Sequence, residues 1–198
     1  QLLAPFAGNE RALDSGCGAG ALALALAPLV GSVVGVDLSA DLVAAGRELA
    51  PANCELTVGD AAHLPYEYGS FDIAGCMRVL HHARRPELIV SELARVTRPG
   101  GRILVIDQLG FVDPVVSAET DRFEKARDPS HQRLLPDQDI RFLLASLVVV
   151  IVCVAHLSTE DGSRPRGRGL AKLRWERRAE SEALMRKNTP TRLGEAAS

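Results

Sequence analysis

Short apolar runs alternate with amphipathic stretches over the first 109 residues. Between the apolar runs lie three stretches that predict helices, at 21–29, 40–50 and 86–97; the last has its apolar residues on one side, Ser39 is a candidate N-cap for the second, and Pro28 and Gly31 indicate the end of the first. Strands that alternate with helices predict an α/β fold with a doubly wound, mostly parallel sheet and helices on both faces. The five runs interpreted as buried strands are RALD at 11–14, VVGVD at 33–37, CELTVGD at 54–60, FDIAGCMRV at 71–79 and RILVIDQL at 102–109.

Chemically distinctive residues follow the first three predicted strands. A glycine-rich segment, SGCGAG, follows the first strand, Asp37 ends the second and Asp60 ends the third. Parallel strands of such a sheet end at one edge, and ligands of α/β sheets bind at that edge. The sequence therefore predicts a ligand site at the carboxyl ends of the strands.

The chain beyond residue 136 differs from the preceding part in its sequence pattern and composition. The segment DQDIRFLLASL at 137–147 predicts a helix, and VVVIVCVAHL at 148–157 predicts a further strand. Residues 160–198 are rich in Arg, Gly and Pro and carry 10 Lys and Arg against 6 Asp and Glu, whereas residues 1–159 carry 13 against 19. We therefore divide the chain into a folded domain at 1–159 and a basic tail or irregular extension at 160–198.

Composition restricts the classes of partner. The net charge is −2 and aromatic residues make up 4% of the chain, so the whole chain has neither the charge nor the stacking residues typical of nucleic-acid-binding proteins. Seven basic residues around Trp175 leave RNA open as a partner of the tail, against the simpler interpretation of a solvated segment. The prediction is a small-molecule partner rather than a nucleic acid.

Cysteine spacing and hydropathy predict a cytoplasmic protein that does not cross a membrane. The four cysteines lie far apart, as expected for reduced thiols. The first residues lack the basic start and long apolar core of a signal peptide, and the apolar segment at 142–155 is too short to span a bilayer. Nothing in the sequence specifies an oligomeric state.

The glycine-rich loop is compatible with a dinucleotide. Gly16, Gly18 and Ala21 satisfy the G-x-G-x-x-G/A pattern, and Asp37 stands about 20 residues further on, where the ribose-binding acid of that pattern falls. A tight turn without a ligand is the structural alternative. On these residues alone, NAD is a candidate cofactor.

Two further acids favour a different cofactor. Asp14 precedes the loop, where a carboxylate would repel a pyrophosphate but would accept hydrogen bonds, directly or through water, from a cationic amino group. Asp60 offers an acceptor to an adenine amino group. S-adenosylmethionine carries an ammonium, a ribose and an adenine without phosphate, so it suits these carboxylates better than NAD does.

Several motifs occur together in the order and spacing of one family. LDSGCGAG, VVGVDLS, GDAAHLPYEYGSFD, VLHH and ARVTRPGGRILVID fall within about residues 2–157. Over this range the chain resembles class I S-adenosylmethionine-dependent methyltransferases, in the type 11 branch that includes ubiquinone and menaquinone biosynthesis C-methyltransferases. The resemblance implies a Rossmann-like fold and an enzyme that transfers a methyl group from S-adenosylmethionine to a small-molecule acceptor.

The resemblance also implies which residues hold the cofactor. Asp14 and the glycines would hold the methionine end, Asp37 the two ribose hydroxyls and Asp60 the adenine amino group. Backbone after the fourth strand would face the methionyl group. The implied cofactor-binding residues are Asp14, Gly16, Cys17, Gly18, Gly20, Asp37, Leu38, Asp60, Ala61, Met77 and Arg78.

Histidines supply the candidate catalytic groups. A sulfonium is already an activated methyl donor, so a general base is required only where the acceptor must lose a proton. His81 and His82 are the candidates for that base, and packing or helix capping is the alternative. His131 is a candidate substrate contact, with a surface-loop position as its alternative. No metal is predicted, because the histidines have no carboxylates at ligand spacing.

Three departures from the family pattern leave other functions open. The sequence begins at QLLAPFAG, so we expect the N-terminal lid helix of the family to be missing. LLASLVVVIVCV lacks the usual glycine turn, and EDGSRPRGRGLAKLRWERR lacks a strand pattern, so the C-terminal strand pair is expected to be incomplete. A non-catalytic module that binds S-adenosylmethionine or S-adenosylhomocysteine is the main alternative, and an NAD-dependent oxidoreductase is the third.

Overall fold

The sheet of the protein is parallel and has six strands in the order β3-β2-β1-β4-β5-β6. The computed structural model describes residue 3, residues 5–145 and residues 150–156, the last range as backbone only. The predicted alternation of strands and helices is confirmed. The strands are β1 at Arg11–Ser15, β2 at Ser32–Asp37, β3 at Cys54–Val58, β4 at Phe71–Met77, β5 at Thr97–Asp107 and β6 at Val150–His156.

Helices connect the strands. Ser39 caps α2 as expected from its position, because its Oγ accepts a hydrogen bond from the amide of Leu42 at 3.3 Å. The helices are α1 at Ala21–Leu26, α2 at Ala40–Arg47, α3 at Pro86–Val96, α4 at Pro114–Arg127 and α5 at Asp137–Ala145, with short 3-10 turns at Ala27–Leu29 and Leu80–His82.

Buried apolar residues cover both faces of the sheet. Successive side chains of a strand point to opposite faces, and β1 shows this directly. Leu13 packs in a cluster with Phe71 and with Leu93 of α3, whereas Ala12 packs in a second cluster with Leu26 of α1. Strands β1, β2 and β4 are therefore buried on both sides, which explains their nearly continuous apolar sequences, whereas the edge strand β3 has exposed residues.

Strand β5 begins five residues before the predicted strand. The sequence RPGG indicated a stop, and α3 does end at Val96, but Thr97 already pairs with Phe71 of β4. The pairing register shifts before Ile73 pairs with Arg102, so residues 98–101 form a bulge. Gly100 has a φ of 75°, and this left-handed backbone lets the bulge form without a steric penalty.

Helix α4 is absent from the sequence prediction. Asp113 caps it, with Oδ1 accepting from the amides of Val115 and Val116 at 2.8 and 3.1 Å, and Pro114 occupies its first turn. None of its residues is buried. A helix without a core-facing stripe has no apolar period to detect, so only its cap residues marked it in the sequence.

The apolar segment at 142–155 is the end of a helix and a strand, as predicted. Helix α5 ends at Ala145 and β6 begins at Val150. Within the described ranges, no helix combines the length and apolar character needed to cross a membrane. Cys17, Cys54 and Cys76 are buried free thiols. The basic tail at 160–198 and the expected incomplete strand pair lie outside the described residues.

Candidate functional site

The predicted site residues meet at the carboxyl edge of the sheet. Strands β2 and β3 lie on one side of β1, and β4, β5 and β6 lie on the other, so the strand order switches direction between β1 and β4. Doubly wound sheets bind ligands in the crevice at such a switch. The glycine loop follows β1 and the segment Arg78–Val79 follows β4, so both flank the switch.

The glycine loop is anchored on the neighbouring strand β2. The amides of Gly16 and Cys17 both donate to the carbonyl oxygen of Val36, at 2.7 and 3.0 Å. The Cys17 side chain is buried against β2, where a Cβ on Gly35 would lie 2.9 Å from its Sγ. Burial raises the pKa of the Cys17 thiol to about 12, so this residue offers the site its backbone and not a thiolate.

Three glycines of the loop adopt left-handed backbone. The φ angles of Gly16, Gly18 and Gly20 are 74°, 53° and 85°. A Cβ on Gly16 would also lie 2.5 Å from a methyl carbon of Val79, whereas a Cβ on Gly18 would approach no atom closer than 3.8 Å. The loop therefore needs glycine for its conformation at all three positions and additionally for space at Gly16.

Asp37 joins the glycine loop to the start of α2. Its Oδ2 accepts from the amide of Gly18 at 2.7 Å and its Oδ1 from the amide of Ser39 at 2.8 Å. Each carboxylate oxygen has a second lone pair, so Asp37 can order the loop and still accept from two hydroxyl groups. Leu38, the next residue, is 73% exposed and offers an apolar surface beside these acceptors.

Asp60 is held at the end of β3 by a neighbouring histidine. Its Oδ1 accepts from the amide of Ala62 at 2.8 Å, and its Oδ2 lies 2.9 Å from Nδ1 of His63. The His63 hydrogen bond and the Ala62 amide lower the pKa of Asp60, so it is an ionised acceptor at neutral pH. Ala61 is buried beside it.

Asp14 lies beneath the loop. It is 1% exposed, and its Oδ2 accepts from the amide of Ala23 at 2.9 Å. Within the part of the chain that the structure describes, its Oδ1 and the Oγ of Ser15 are buried without a hydrogen-bond partner. Burial, together with the nearby Asp37 charge, raises the pKa of Asp14 to about 7. The unpartnered Oδ1 of Asp14, just before the glycine loop, indicates a place where a donor belongs.

Backbone strain marks the end of β4. Arg78 has a φ of 58°, which makes it the one residue other than glycine with a left-handed backbone among those described. Its amide donates to the carbonyl oxygen of Ile106 at 2.7 Å, and its side chain is exposed. Met77 is half-buried. Such conformations concentrate at binding sites, where the surrounding structure imposes them.

His81 is buried and paired with an aspartate. It is 4% exposed, and its Nδ1 is hydrogen-bonded to Oδ1 of Asp107, which ends β5. Asp107 is also buried, and it accepts from the amides of Leu80 and Gln108 at 2.7 and 2.8 Å. This network fixes the 3-10 turn after β4. His81 is therefore packed inside the protein, as the alternative to a catalytic role expects of its surroundings.

His82 and His131 differ in their accessibility. His82 is half-buried, and its Nδ1 lies 2.9 Å from Oγ of Ser130. His131 is 2% exposed, with Nε2 2.8 Å from Oδ1 of Asp121. The ring of His81 lies 4.1 Å from that of His82 and 5.7 Å from that of His131, so the fold brings all three together. The surface-loop alternative for His131 does not fit its burial.

Some residues of the site are missing from the sequence prediction. Asp107 lies inside the strand predicted at 102–109 but ends the observed strand β5, so the edge rule that selected Asp37 missed it because the predicted strand end was two residues too late. The others are identified by contacts between segments that are distant in sequence, or by burial, which no short motif reveals. The missed residues are Ser15, His63, Val79, Asp107 and Ser130.

The described ranges also contain an open cleft of about 440 Å³ against α4. It includes Asp121, the partner of His131, and no residue of the glycine loop. Its lining residues are Asp121, Arg122, Lys125, Ala126 and Gln132. In the same described part of the chain, no group of three or more His, Cys, Asp or Glu side chains is arranged to hold a metal ion.

The chain is similar in sequence to known proteins. Residues 13–105 match the methyltransferase domain family. The chain is 37% identical over 129 residues to the uncharacterized methyltransferase YcgJ of Bacillus subtilis, covering 63% of this chain and 51% of that protein. It is 34% identical over 135 residues to demethylmenaquinone methyltransferase of Clavibacter sepedonicus, covering 67% of this chain and 55% of that enzyme. The chain thus spans about half the length of these relatives.

Solved structures show the same fold. The crystal structure of YcgJ from Bacillus subtilis superposes with a TM-score of 0.70 at 33% identity, covering 72% of this chain and 63% of that one. The structure of the cyclase SpnF superposes with a TM-score of 0.56 at 27% identity, covering 70% of this chain and 51% of that one. The fold is therefore shared by proteins with different reactions.

Sheet order, glycine loop and strand-end acids together define the class I S-adenosylmethionine-dependent methyltransferase fold. Within that class, residues 13–105 match the methyltransferase domain that the motifs predicted.

Proposed function

We propose that the protein binds S-adenosylmethionine at the edge formed by the glycine loop, Asp37 and Asp60, and transfers its methyl group to a small-molecule acceptor. The observation that carries this proposal is the buried, unpartnered Oδ1 of Asp14 just before a loop of left-handed glycines. An ammonium group, directly or through a buried water, would satisfy the Asp14 acceptor.

The charges of the loop distinguish this cofactor from a dinucleotide. Asp14 and Asp37 are close enough that the Asp37 charge raises the pKa of Asp14. A pyrophosphate placed on the same loop would add negative charge beside both carboxylates. Among the described residues, the contact shown for the Asp14 carboxylate is with the amide of Ala23, which is not a cation. A sulfonium amino acid brings positive charge instead, so it fits the electrostatics of the loop.

Each strand end has a separate binding role in this proposal. Asp37 would accept from the ribose hydroxyls, Leu38 would pack against the adenine and Asp60 would accept from the adenine amino group. Backbone at Met77 and Arg78 would face the methionyl group, while Asp14 and the loop residues Gly16, Cys17, Gly18 and Gly20 hold its far end. When bound, S-adenosylmethionine supplies a methyl group on a sulfonium, so the protein has to orient the acceptor and exclude water.

His82 is the candidate base for acceptors that must lose a proton. It is half-buried, whereas His81 and His131 are almost fully enclosed. Burial, and secondarily the neighbouring His81, lowers the pKa of His82, so its imidazole is neutral and able to accept a proton at neutral pH. In this proposal His81 supports His82 through ring contact, and His131 completes the wall of the substrate pocket.

An apolar acceptor fits the surface beyond β5. Phe111, Val112, Val115 and Phe123 are between 51% and 70% exposed, at the start of and along α4. Exposed large apolar side chains often mark a surface that contacts a ligand. Two of the curated relatives are named demethylmenaquinone methyltransferase and ubiquinone biosynthesis O-methyltransferase, so an aromatic quinol-like ring is the acceptor class we propose.

Replacement of Asp37 by alanine tests the cofactor site. We expect Asp37→Ala to weaken S-adenosylhomocysteine binding by about 1–3 kcal/mol, roughly 5- to 150-fold, because a charged acceptor is lost. Titration calorimetry measures this change. Asp41→Ala is the matched control, since Asp41 is an exposed acid in the first turn of α2 and should leave affinity unchanged. Equal affinities of wild type and Asp37→Ala would show that the ribose assignment is wrong.

A non-catalytic binding module is the second candidate. The likeness to SpnF, a cyclase, bears on it because that structure has this fold with a reaction other than methyl transfer, so the fold alone does not establish methyl transfer. Formation of S-adenosylhomocysteine from S-adenosylmethionine in the presence of quinol acceptors separates the two candidates. Tight binding without product, across C-, O- and N-methyl acceptors, would favour the binding module.

A further inference from the structure

A chain of hydrogen bonds connects Asp128, Ser130 and His82. The Oγ of Ser130 lies 2.6 Å from Oδ1 of Asp128 and 2.9 Å from Nδ1 of His82. The backbone amide of Ser130 donates to the same Asp128 oxygen at 2.9 Å. The segment between α4 and α5 therefore places a serine hydroxyl between a carboxylate and an imidazole.

Backbone contacts hold this segment against the turn that carries His82. The amides of Gln132 and Arg133 both donate to the carbonyl oxygen of His81, at 2.9 and 3.3 Å. Asp128 itself follows the last residue of α4, and its amide donates to the carbonyl oxygen of Glu124 at 2.8 Å. The position of Ser130 relative to His82 is thus set by structure on both sides of it.

The number of hydrogens determines the direction of each bond. A serine hydroxyl has one hydrogen to donate, and an ionised carboxylate can only accept. The Ser130 hydroxyl and amide lower the pKa of Asp128, so Asp128 is ionised at neutral pH and receives the Ser130 hydrogen. The Ser130 oxygen is then the acceptor towards His82, so the neutral imidazole must carry its hydrogen on Nδ1.

We propose that Ser130 and Asp128 are positioning residues that hold neutral His82 as the Nδ1-protonated tautomer, which leaves Nε2 as its proton acceptor. This inference deepens the proposed function, because it assigns the basic nitrogen of the candidate base. It also explains why a polar, exposed loop supplies a serine and an aspartate two residues apart at this point of the fold.

The titratable groups around His82 come from three segments. His81 lies beside it on the same 3-10 turn, Asp107 approaches from the end of β5 and Asp128 from the segment after α4. Burial and His81 lower the pKa of His82, while Asp128 and Asp107 raise it. The imidazole is therefore neutral above its ordinary pKa, and its tautomer can be observed there.

Nitrogen-15 NMR of the histidine side chains tests the tautomer without cofactor or acceptor. At about pH 8 we expect the His82 signals of the wild-type chain to show a protonated Nδ1 and a lone pair on Nε2, with His82→Gln identifying them by their loss. In Ser130→Ala the population should move towards the Nε2-protonated form. Ser130→Thr keeps the hydroxyl and should restore the wild-type pattern.

A second variant tests the carboxylate. Asp128→Asn removes a negative charge that raises the pKa of His82, so the midpoint of the His82 titration should fall to lower pH. Both replaced residues are exposed, so the fold should tolerate the changes. An Nε2-protonated His82 in the wild-type chain, or the same tautomer in wild type and Ser130→Ala, would overturn the inference. Neither result depends on methyl transfer, so failure of this inference and failure of the proposed function are distinguishable.

Discussion

Gly16→Ala is expected to destabilise the protein by about 2–5 kcal/mol, because alanine at this position has both a conformational and a steric cost. Left-handed backbone costs a non-glycine residue about 1–2 kcal/mol, and overpacking typically adds about 1–3 kcal/mol. Gly16 has a φ of 74°, and its added Cβ would lie 2.5 Å from Val79. Urea unfolding followed by circular dichroism measures the loss.

Gly8→Ala separates the two costs. Gly8 has a φ of 82°, close to that of Gly16, but a Cβ there would have no atom within 4 Å. We therefore expect Gly8→Ala to cost only the conformational part, about 1–2 kcal/mol. Adding Val79→Ala to Gly16→Ala should recover part of the larger loss. Equal losses in the two glycine variants would show that contact between the loop and Val79 is unimportant.

The second large effect is a pH dependence of stability that comes from Asp14. Burial raises the pKa of Asp14 from an ordinary value of 3.8 to about 7. Between these two pH values the folded state holds the proton and the unfolded state does not. The wild-type protein should therefore lose stability as the pH rises from about 4 to about 7, and remain less stable above that. At about 1.4 kcal/mol per unit of pKa, the loss approaches about 4 kcal/mol.

Asp14→Asn removes this titration. Its amide oxygen can still accept from Ala23, as Asp14 does at 2.9 Å. We expect the variant to be more stable than wild type by a small margin at about pH 5 and by a much larger margin at about pH 8.5, with weaker S-adenosylhomocysteine binding at both. Urea unfolding at the two pH values measures this, with Asp41→Asn as the control. A stability difference that does not change with pH would contradict the account of Asp14.

The strands and most of the binding edge could be predicted because their signals are local. Buried parallel strands are largely apolar, Asp37 is the last residue of β2, and Asp60 follows the end of β3 by two residues. Helix α4 was missed because none of its residues is buried, so its sequence carries no apolar period. The extra length of β5 was missed because glycine and proline in the sequence RPGG usually end an element, whereas here they form a bulge.

The partners of the site residues could not be predicted from motifs. His81 was selected as a candidate base by its position, but it is buried and hydrogen-bonded to Asp107, which lies 26 residues away. Ser130 lies 48 residues from His82, and the contact exists only because α4 returns the chain to the carboxyl edge. The packing of the chain determines which histidine remains accessible. It leaves His82 more accessible than His81 and His131, which favours His82 as the candidate base.

Calorimetric titration of the protein with S-adenosylhomocysteine and, separately, with NAD tests the central claim most directly. The claim is that a loop with Asp14 beneath it and Asp37 beside it holds a sulfonium amino acid nucleoside and not a pyrophosphate. We predict saturable binding of S-adenosylhomocysteine, weakened in Asp37→Ala, and no saturable heat with NAD. Binding of NAD without binding of S-adenosylhomocysteine would contradict the account.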